Sequence, residues 1–268
     1  MSGSPQEPVP DLDLDLDGLT PDLDERFAGG LDPERWWPFY LPHWSSRERA
    51  QASAETGAEG LTLLIGQDTP PWSPEWDGTN RVSHVSTGQF SGPVGSTIGQ
   101  HRFRPGLIVR EEQPEFRGWL PHFGVIEARM AAIRHPDAMV AFWPIGYEST
   151  AADCGEICIA EIFGSEIDDE GGWVGVGVKA QNDPRLHDDF EKVRVRGDLT
   201  AMHDYAVEWT PQRLRFFIDG RQVKTVDQSV DYPVQLMLDV YELPAAVRDV
   251  SALPHRFRVK RVRTFPAV

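Results

Sequence analysis

Gly155-Glu156-Ile157-Cys158-Ile159-Ala160-Glu161-Ile162-Phe163-Gly164 is the stretch on which the fold turns. An apolar, largely β-branched run interrupted by two carboxylates and a thiol reads as a buried strand. Side chains alternate along a strand, so Glu156 and Cys158 share one face, while Glu161, at an odd offset from Glu156, falls on the other. One extra residue at Ile159 or Ala160, a β-bulge, returns Glu161 to the face of Glu156. Two carboxylates on one face at mid-strand make poor packing and suit an acid and a nucleophile. The plain alternative, two glutamates facing water, fits badly with neighbours that are Ile, Cys, Ile, Ala, Ile and Phe.

Strand-like runs with turn signals between them recur on either side. They include Leu61–Ile65, Val125–Ile133, Met139–Ile145, Trp173–Val178, Tyr205–Trp209, Arg213–Ile218, Gln222–Val226, Val234–Tyr241 and Arg256–Arg263. Asp32–Trp37 also reads as early strand material, and Asp219-Gly220 is a strong hairpin turn. Helical periodicity is nearly absent, with at most a short helical turn in Ala245–Ala252. Many short strands with Gly and Pro punctuation predict an all-β sandwich or barrel. Residues 66–121, rich in Gly, Pro and Trp, read as long loops, and loops that carry aromatics are candidate binding surfaces.

The chain has 268 residues and a formal net charge of −16. Residues 1–25 hold eight acidic residues and no Lys or Arg, so they carry −8 and the remainder carries −8. That acidic first segment reads as a disordered or loosely docked tail, with residues 26–268 forming a single folded domain. Asp13-x-Asp15-x-Asp17-Gly18 with Asp24 at the twelfth place matches a calcium-loop template, but it lacks flanking amphipathic helices and contains Pro21, so the solvated tail is the better reading. An acidic body argues against nucleic acid and anionic membrane as partners. No apolar run approaches the roughly 18 residues that span a bilayer. The two cysteines, Cys154 and Cys158, would stand roughly 13 Å apart in extended geometry, too far for a disulfide. Free thiols and a start without a basic, apolar leader predict a cytoplasmic protein, although a chain already relieved of its leader would read the same. No zinc spacing, no Gly-x-Ser-x-Gly elbow and no phosphate-binding Gly loop occurs, so no cofactor or metal is expected.

Paired carboxylates roughly 5–5.5 Å apart are what glycoside hydrolysis with retention requires. The segment Glu156-Ile157-Cys158-Ile159-Ala160-Glu161 resembles the Glu-x-Asp-x-x-Glu signature of glycoside hydrolase family 16, the laminarinase, lichenase, agarase and carrageenase group. The resemblance extends over most of the chain from about residue 26. Phe123–Arg129 is similar to the family's entering strand, and Met139-Val140-Ala141-Phe142-Trp143 to its Trp-Pro-Ala-x-Trp segment. His203–Thr210 through Phe217–Gly220 matches its hairpin; Tyr232–Leu238 and Val259–Arg263 match as well. The resemblance implies a β-jelly-roll sandwich of two curved antiparallel sheets, of the concanavalin A-like lectin/glucanase kind, with a cleft on the concave face. It also implies Glu156 as nucleophile and Glu161 as general acid/base, with Trp143, helped by Trp119, Trp76 and Tyr241, stacking on sugar rings.

Four positions depart from the family pattern. Cys158 stands where the signature has its helper Asp, and a thiol with an ordinary pKa is neutral near pH 7. Lys179 stands where many members place a His on the leaving-group side, which makes it a candidate substrate contact. Met139 removes one stacking platform. Lys260 replaces an Asp that helps hold a structural calcium in relatives, and an ammonium cannot ligate Ca²⁺, so that site is expected to be missing. The reading that results is a monomeric, retaining endo-glycosidase acting on a β-linked polysaccharide, with β-1,3- or mixed-linkage glucan foremost. Its rivals are a transglycosylase using the same site and a non-catalytic glucan-binding module on the same fold.

Overall fold

The computed structural model describes residues 13–267, so residues 1–12, nearly half of the expected acidic tail, lie outside the described residues. Two large antiparallel sheets face each other. The first runs, in spatial order, through Arg221–Val226, Leu214–Ile218, His203–Trp209, Gly124–Ala131, His255–Phe265, Gly60–Ile65 and Ser53–Gly57. The second runs through Asp189–Arg196, Gly171–Lys179, Glu156–Phe163, Ala138–Phe142, Met237–Glu242 and Arg81–Ser86, with Ile145–Gly146 and Val234–Gln235 as short additions. The architecture is the curved, antiparallel β-sandwich that the strand pattern and the family resemblance predict.

The main core lies between the sheets. Ile126, Ala128 and Met130 of one sheet meet Val140, Phe142, Ile162, Val174, Val176, Leu238 and Val240 of the other, all essentially out of water. Each of these strands alternates, so the second sheet turns a different set of side chains to its outer face. Ala141, Trp143, Met237 and Tyr241 on that outer face carry a second apolar layer, closed from above by Tyr40, Leu41, Trp44, Trp72, Leu107 and Val109. The sheet that bears Glu156 is therefore covered on both faces, and the long loops are the cover.

Three expectations are corrected. Residues 66–121 are not loop throughout, since Arg81–Ser86 is the edge strand of the second sheet, paired with Met237–Glu242. Asp32–Trp37 is a turn; only Trp37 makes a bridge, to Ser86. The described end of the acidic tail is docked. Leu14 N–H donates to the Gly220 carbonyl at 2.7 Å, and Leu23–Glu25 pairs with Val262–Thr264 as an extra strand of the first sheet. The buried Glu25 accepts from Phe27 N–H at 2.7 Å, the Arg35 guanidinium at 3.0 Å and the Trp36 indole at 3.2 Å. Asp24, the twelfth position of the calcium-loop pattern, pairs instead with Arg26 at 3.0 Å. Lys260 meets Glu59 at 3.1 Å. Cys154 and Cys158 are free and buried, as their spacing requires. Among the described residues no three His, Cys, Asp or Glu side chains gather as a metal site, and no helix is long and apolar enough to cross a membrane.

Candidate active site

The bulge is present where alternation demands it. Along the pair with Gly171–Lys179, Glu156 faces Lys179 and Cys158 faces Gly177, yet Glu161 faces Gly175, so one residue more is spent on the carboxylate strand than on its partner. Ile159 and Ala160 are consecutive and both enter the main core, at 1 % and 0 % exposure. Two neighbours pointing inward are what turn Glu161 back to the outer face. The apolar pattern thus sets the bulge, and the bulge sets the site.

Glu156, Cys158 and Glu161 line one side of a pocket, with Lys179 and Gln181 beside them and Met139, Ala141, Trp143 and Tyr241 across the floor. Lys179 Nζ lies 3.1 Å from Glu156 Oε1 and 2.8 Å from Glu161 Oε2. Those two oxygens are therefore no more than about 6 Å apart, an upper limit that accommodates the roughly 5–5.5 Å carboxyl spacing used for retention. Gln181 Nε2 also donates to Glu156 Oε2 at 2.7 Å. Glu156 is thus held by two donors and buried, with its side chain 5 % exposed, whereas Glu161 is 19 % exposed and has one.

Burial raises the pKa of Glu156, and Lys179 and Gln181 act against it. Burial likewise pushes the Cys158 thiol well above the usual thiol range, so Cys158 is a neutral group here; its Sγ–H points at the Gly175 carbonyl at 3.6 Å. Burial works to lower the pKa of Lys179, but the negative charge around it outweighs burial and the ammonium is held charged.

Trp143 and Tyr241, read from sequence as sugar platforms, line the pocket, as does Lys179. The Trp143 indole N–H donates to Asp239, whose other oxygen lies 2.6 Å from His84 Nδ1, and all three are buried. Trp119 and Trp76 are not part of it. The Trp119 indole donates to Thr264 Oγ1 at 3.2 Å on the first sheet, and its ring packs on the main core. Trp76 sits in a helical turn, Pro74–Asp77, with the Arg104 guanidinium over its ring at 5.5 Å. Both plug loops onto the body, as any single loop Trp tends to do.

Tyr40, His101, Phe103 and Gln181 complete the lining and carried no sequence signal. Each arrives on a loop. Burial, assisted by Lys179, lowers the His101 pKa to about 4, so this imidazole is neutral at pH 7. His101 stands edge-on to Trp143 with ring centroids 5.2 Å apart. Its loop is pinned by Gln100, whose amide N–H donates to the Tyr147 carbonyl at 2.9 Å and whose own carbonyl accepts from the Trp44 indole at 2.9 Å.

Residues 119–242 match the family model of glycosyl hydrolases family 16. The stretch contains both glutamates and every strand that frames them. A β-glucanase of Rhodothermus marinus is 27 % identical over 199 residues, which are 72 % of this chain and 59 % of that one. Among solved structures, a GlcNAcα1-4Gal-releasing endo-β-galactosidase from Clostridium perfringens superposes with a TM-score of 0.81 at 27 % identity, covering 95 % of this chain and 63 % of that one. A laminarinase from Flavobacterium sp. UMI-01 gives a TM-score of 0.64 at 17 % identity over 92 % of this chain and 100 % of its own. The chain spans about three fifths of the length of the first two relatives. The bulged carboxylate strand and the two-sheet frame agree with these matches, which together support assignment of the chain to glycosyl hydrolases family 16.

Proposed function

We propose that the protein is a retaining endo-glycosidase of β-linked polysaccharides, with Glu156 as nucleophile and Glu161 as general acid/base. The observation that carries this is the bulge, which gathers both carboxylates around one ammonium at a spacing suited to double displacement. The division of roles follows exposure. A nucleophile must be fixed and ionised, and the two donors on Glu156 fix it and oppose the rise that burial imposes on its pKa; an acid/base must exchange protons with solvent, which suits the more open Glu161. In the first half-reaction Glu161 gives its proton to the leaving oxygen while a Glu156 oxygen bonds to the anomeric carbon. In the second, Glu161 takes a proton from water as the oxygen of that water displaces Glu156.

The aromatic floor favours an uncharged sugar chain, since aromatic faces match the apolar faces of pyranoses, and the Lys179 ammonium is already paired with both carboxylates. A β-glucan is supported by the β-glucanase relative. A β-galactoside chain is the second reading, favoured by the closer superposition on the endo-β-galactosidase.

The test is release of reducing ends from laminarin, lichenan, agarose, carrageenan and a GlcNAc-capped galactan, with product analysis to separate transfer to water from transfer to a second sugar. We expect turnover on at least one, falling by about a thousandfold or more in Glu156→Gln. Binding without turnover in both proteins would mean a carbohydrate-binding module instead.

A further inference from the structure

Lys179 faces Glu156 across the strand pair, while Glu161 faces Gly175. Between them on the same strand is Gly177, opposite Cys158. Neither glycine carries a side chain, and a Cβ on Gly175 would meet the Phe190 ring at 2.4 Å. The Phe190 ring fills that place, and the lysine ammonium, 4.7 Å from the same ring, ends between two carboxylates that sit five residues apart. The buried thiol of Cys158 contributes no charge beside them.

We infer that Lys179 is the fixed counter-ion of a negative charge that alternates between Glu156 and Glu161 during the reaction. The inference rests on the function proposed above. Before the first half-reaction Glu156 is anionic and Glu161 protonated; in the glycosyl-enzyme Glu156 is a neutral ester and Glu161 is anionic. One negative charge is present throughout, and only its address changes. An ammonium within 3.1 Å of one carboxylate and 2.8 Å of the other pairs with that charge at both addresses without moving. With a neutral thiol at position 158, the two glutamates and Lys179 sum to zero in both resting and glycosylated states. An Asp at 158 would leave the same set at −1.

The other ionisable or charged groups facing this cluster come from three elements. His101, on the loop above, is neutral. Tyr40, from the chain segment over the outer face, and Tyr241, from the neighbouring strand, are kept as phenols by burial. Asp239 is bonded to His84 and Trp143. Among the described residues, Lys179 is thus the cation that serves the pair.

A cation beside both carboxylates favours their ionised forms, so removing it moves both limbs of the pH–rate profile upward. The experiment compares wild type, Lys179→Met and Lys179→Arg on the best polysaccharide and on a dinitrophenyl glycoside of the same sugar, whose leaving group needs no proton. For Lys179→Met we expect at least a ~10-fold fall in kcat on both substrates and an upward shift of about one unit or more in the alkaline limb, both largely restored in Lys179→Arg. If Lys179→Met does not fold, Lys179→Gln carries the same expectations. A rate that falls with both limbs unmoved overturns the inference, because a merely structural lysine would behave that way. So does a neutral variant with wild-type rates. Wild-type protein inactive on every substrate overturns the glycosidase reading itself, and this inference with it. Activity lost in Glu156→Gln but indifferent to Lys179 overturns the inference alone.

Discussion

Cys158 is where the chain departs most from its family's signature. The thiol is 1 % exposed, its pKa is raised by burial, and it points at a backbone carbonyl. A carboxylate in its place would face the Gly175 oxygen and could keep that bond only when protonated. Restoring the family's residue therefore carries two opposed effects. Added negative charge beside the glutamates favours their protonated forms and moves the alkaline limb of the pH–rate profile up. Burying an acid at a site shaped for a thiol costs about 1–3 kcal/mol of stability. Cys158→Asp is thus expected to work at higher pH and melt at lower temperature than wild type. Paired pH–rate profiles and thermal scans check this, and an unchanged profile would remove Cys158 from any part in tuning the acid.

Among the elements, the carboxylate strand does the positioning. Its geometry was legible beforehand because the apolar residues and the glutamates obey incompatible parities, and a bulge is the one local repair. Deleting Ala160 removes that repair. Either Glu161 turns into the main core or Ile162 and Phe163 leave their places, and both outcomes cost several kcal/mol. The deletion is expected to abolish turnover and lower the melting midpoint, whereas Ala160→Gly keeps the residue count and retains measurable activity. Activity assays beside circular dichroism decide it.

Other elements could not be read. Asp189–Arg196 alternates charged residues with Phe and Val at a half-exposed sheet edge, so its pattern lacks a clean apolar face. Arg81–Ser86 hides its purpose because the polar His84 is buried against Asp239, a partner 155 residues away. Leu23–Glu25 is masked by the acidic composition around it, and its Glu25 relies on the Arg35 and Trp36 donors that the fold brings in, beside the local Phe27 N–H. The same limit governs the site. The carboxylates and Trp143 lie on strands whose periodicity places them. Tyr40, His101, Phe103 and Gln181 come from loops, and Trp76 and Trp119 looked no different in sequence from the aromatics that do reach the pocket.

Taken whole, the molecule has two apolar layers separated by one sheet. The inner layer is made by strands from both sheets; the outer one is made by loops laid over Ala141, Trp143, Met237 and Tyr241. Loop segments are held by fewer long-range ladders than strands, so they open at lower free energy. The carboxylates belong to the rigid part and the wall opposite them to the looser part. That division has a practical meaning for storage and use. Heated gradually, the protein should stop working before it unfolds, passing through an interval in which Trp emission has shifted and turnover is lost while the far-ultraviolet β signal persists. Cooling from that interval should recover activity promptly, because the sheets that would otherwise stick to one another have not yet come apart. Coincident loss of all three signals would show instead that the loops and the sandwich melt as one.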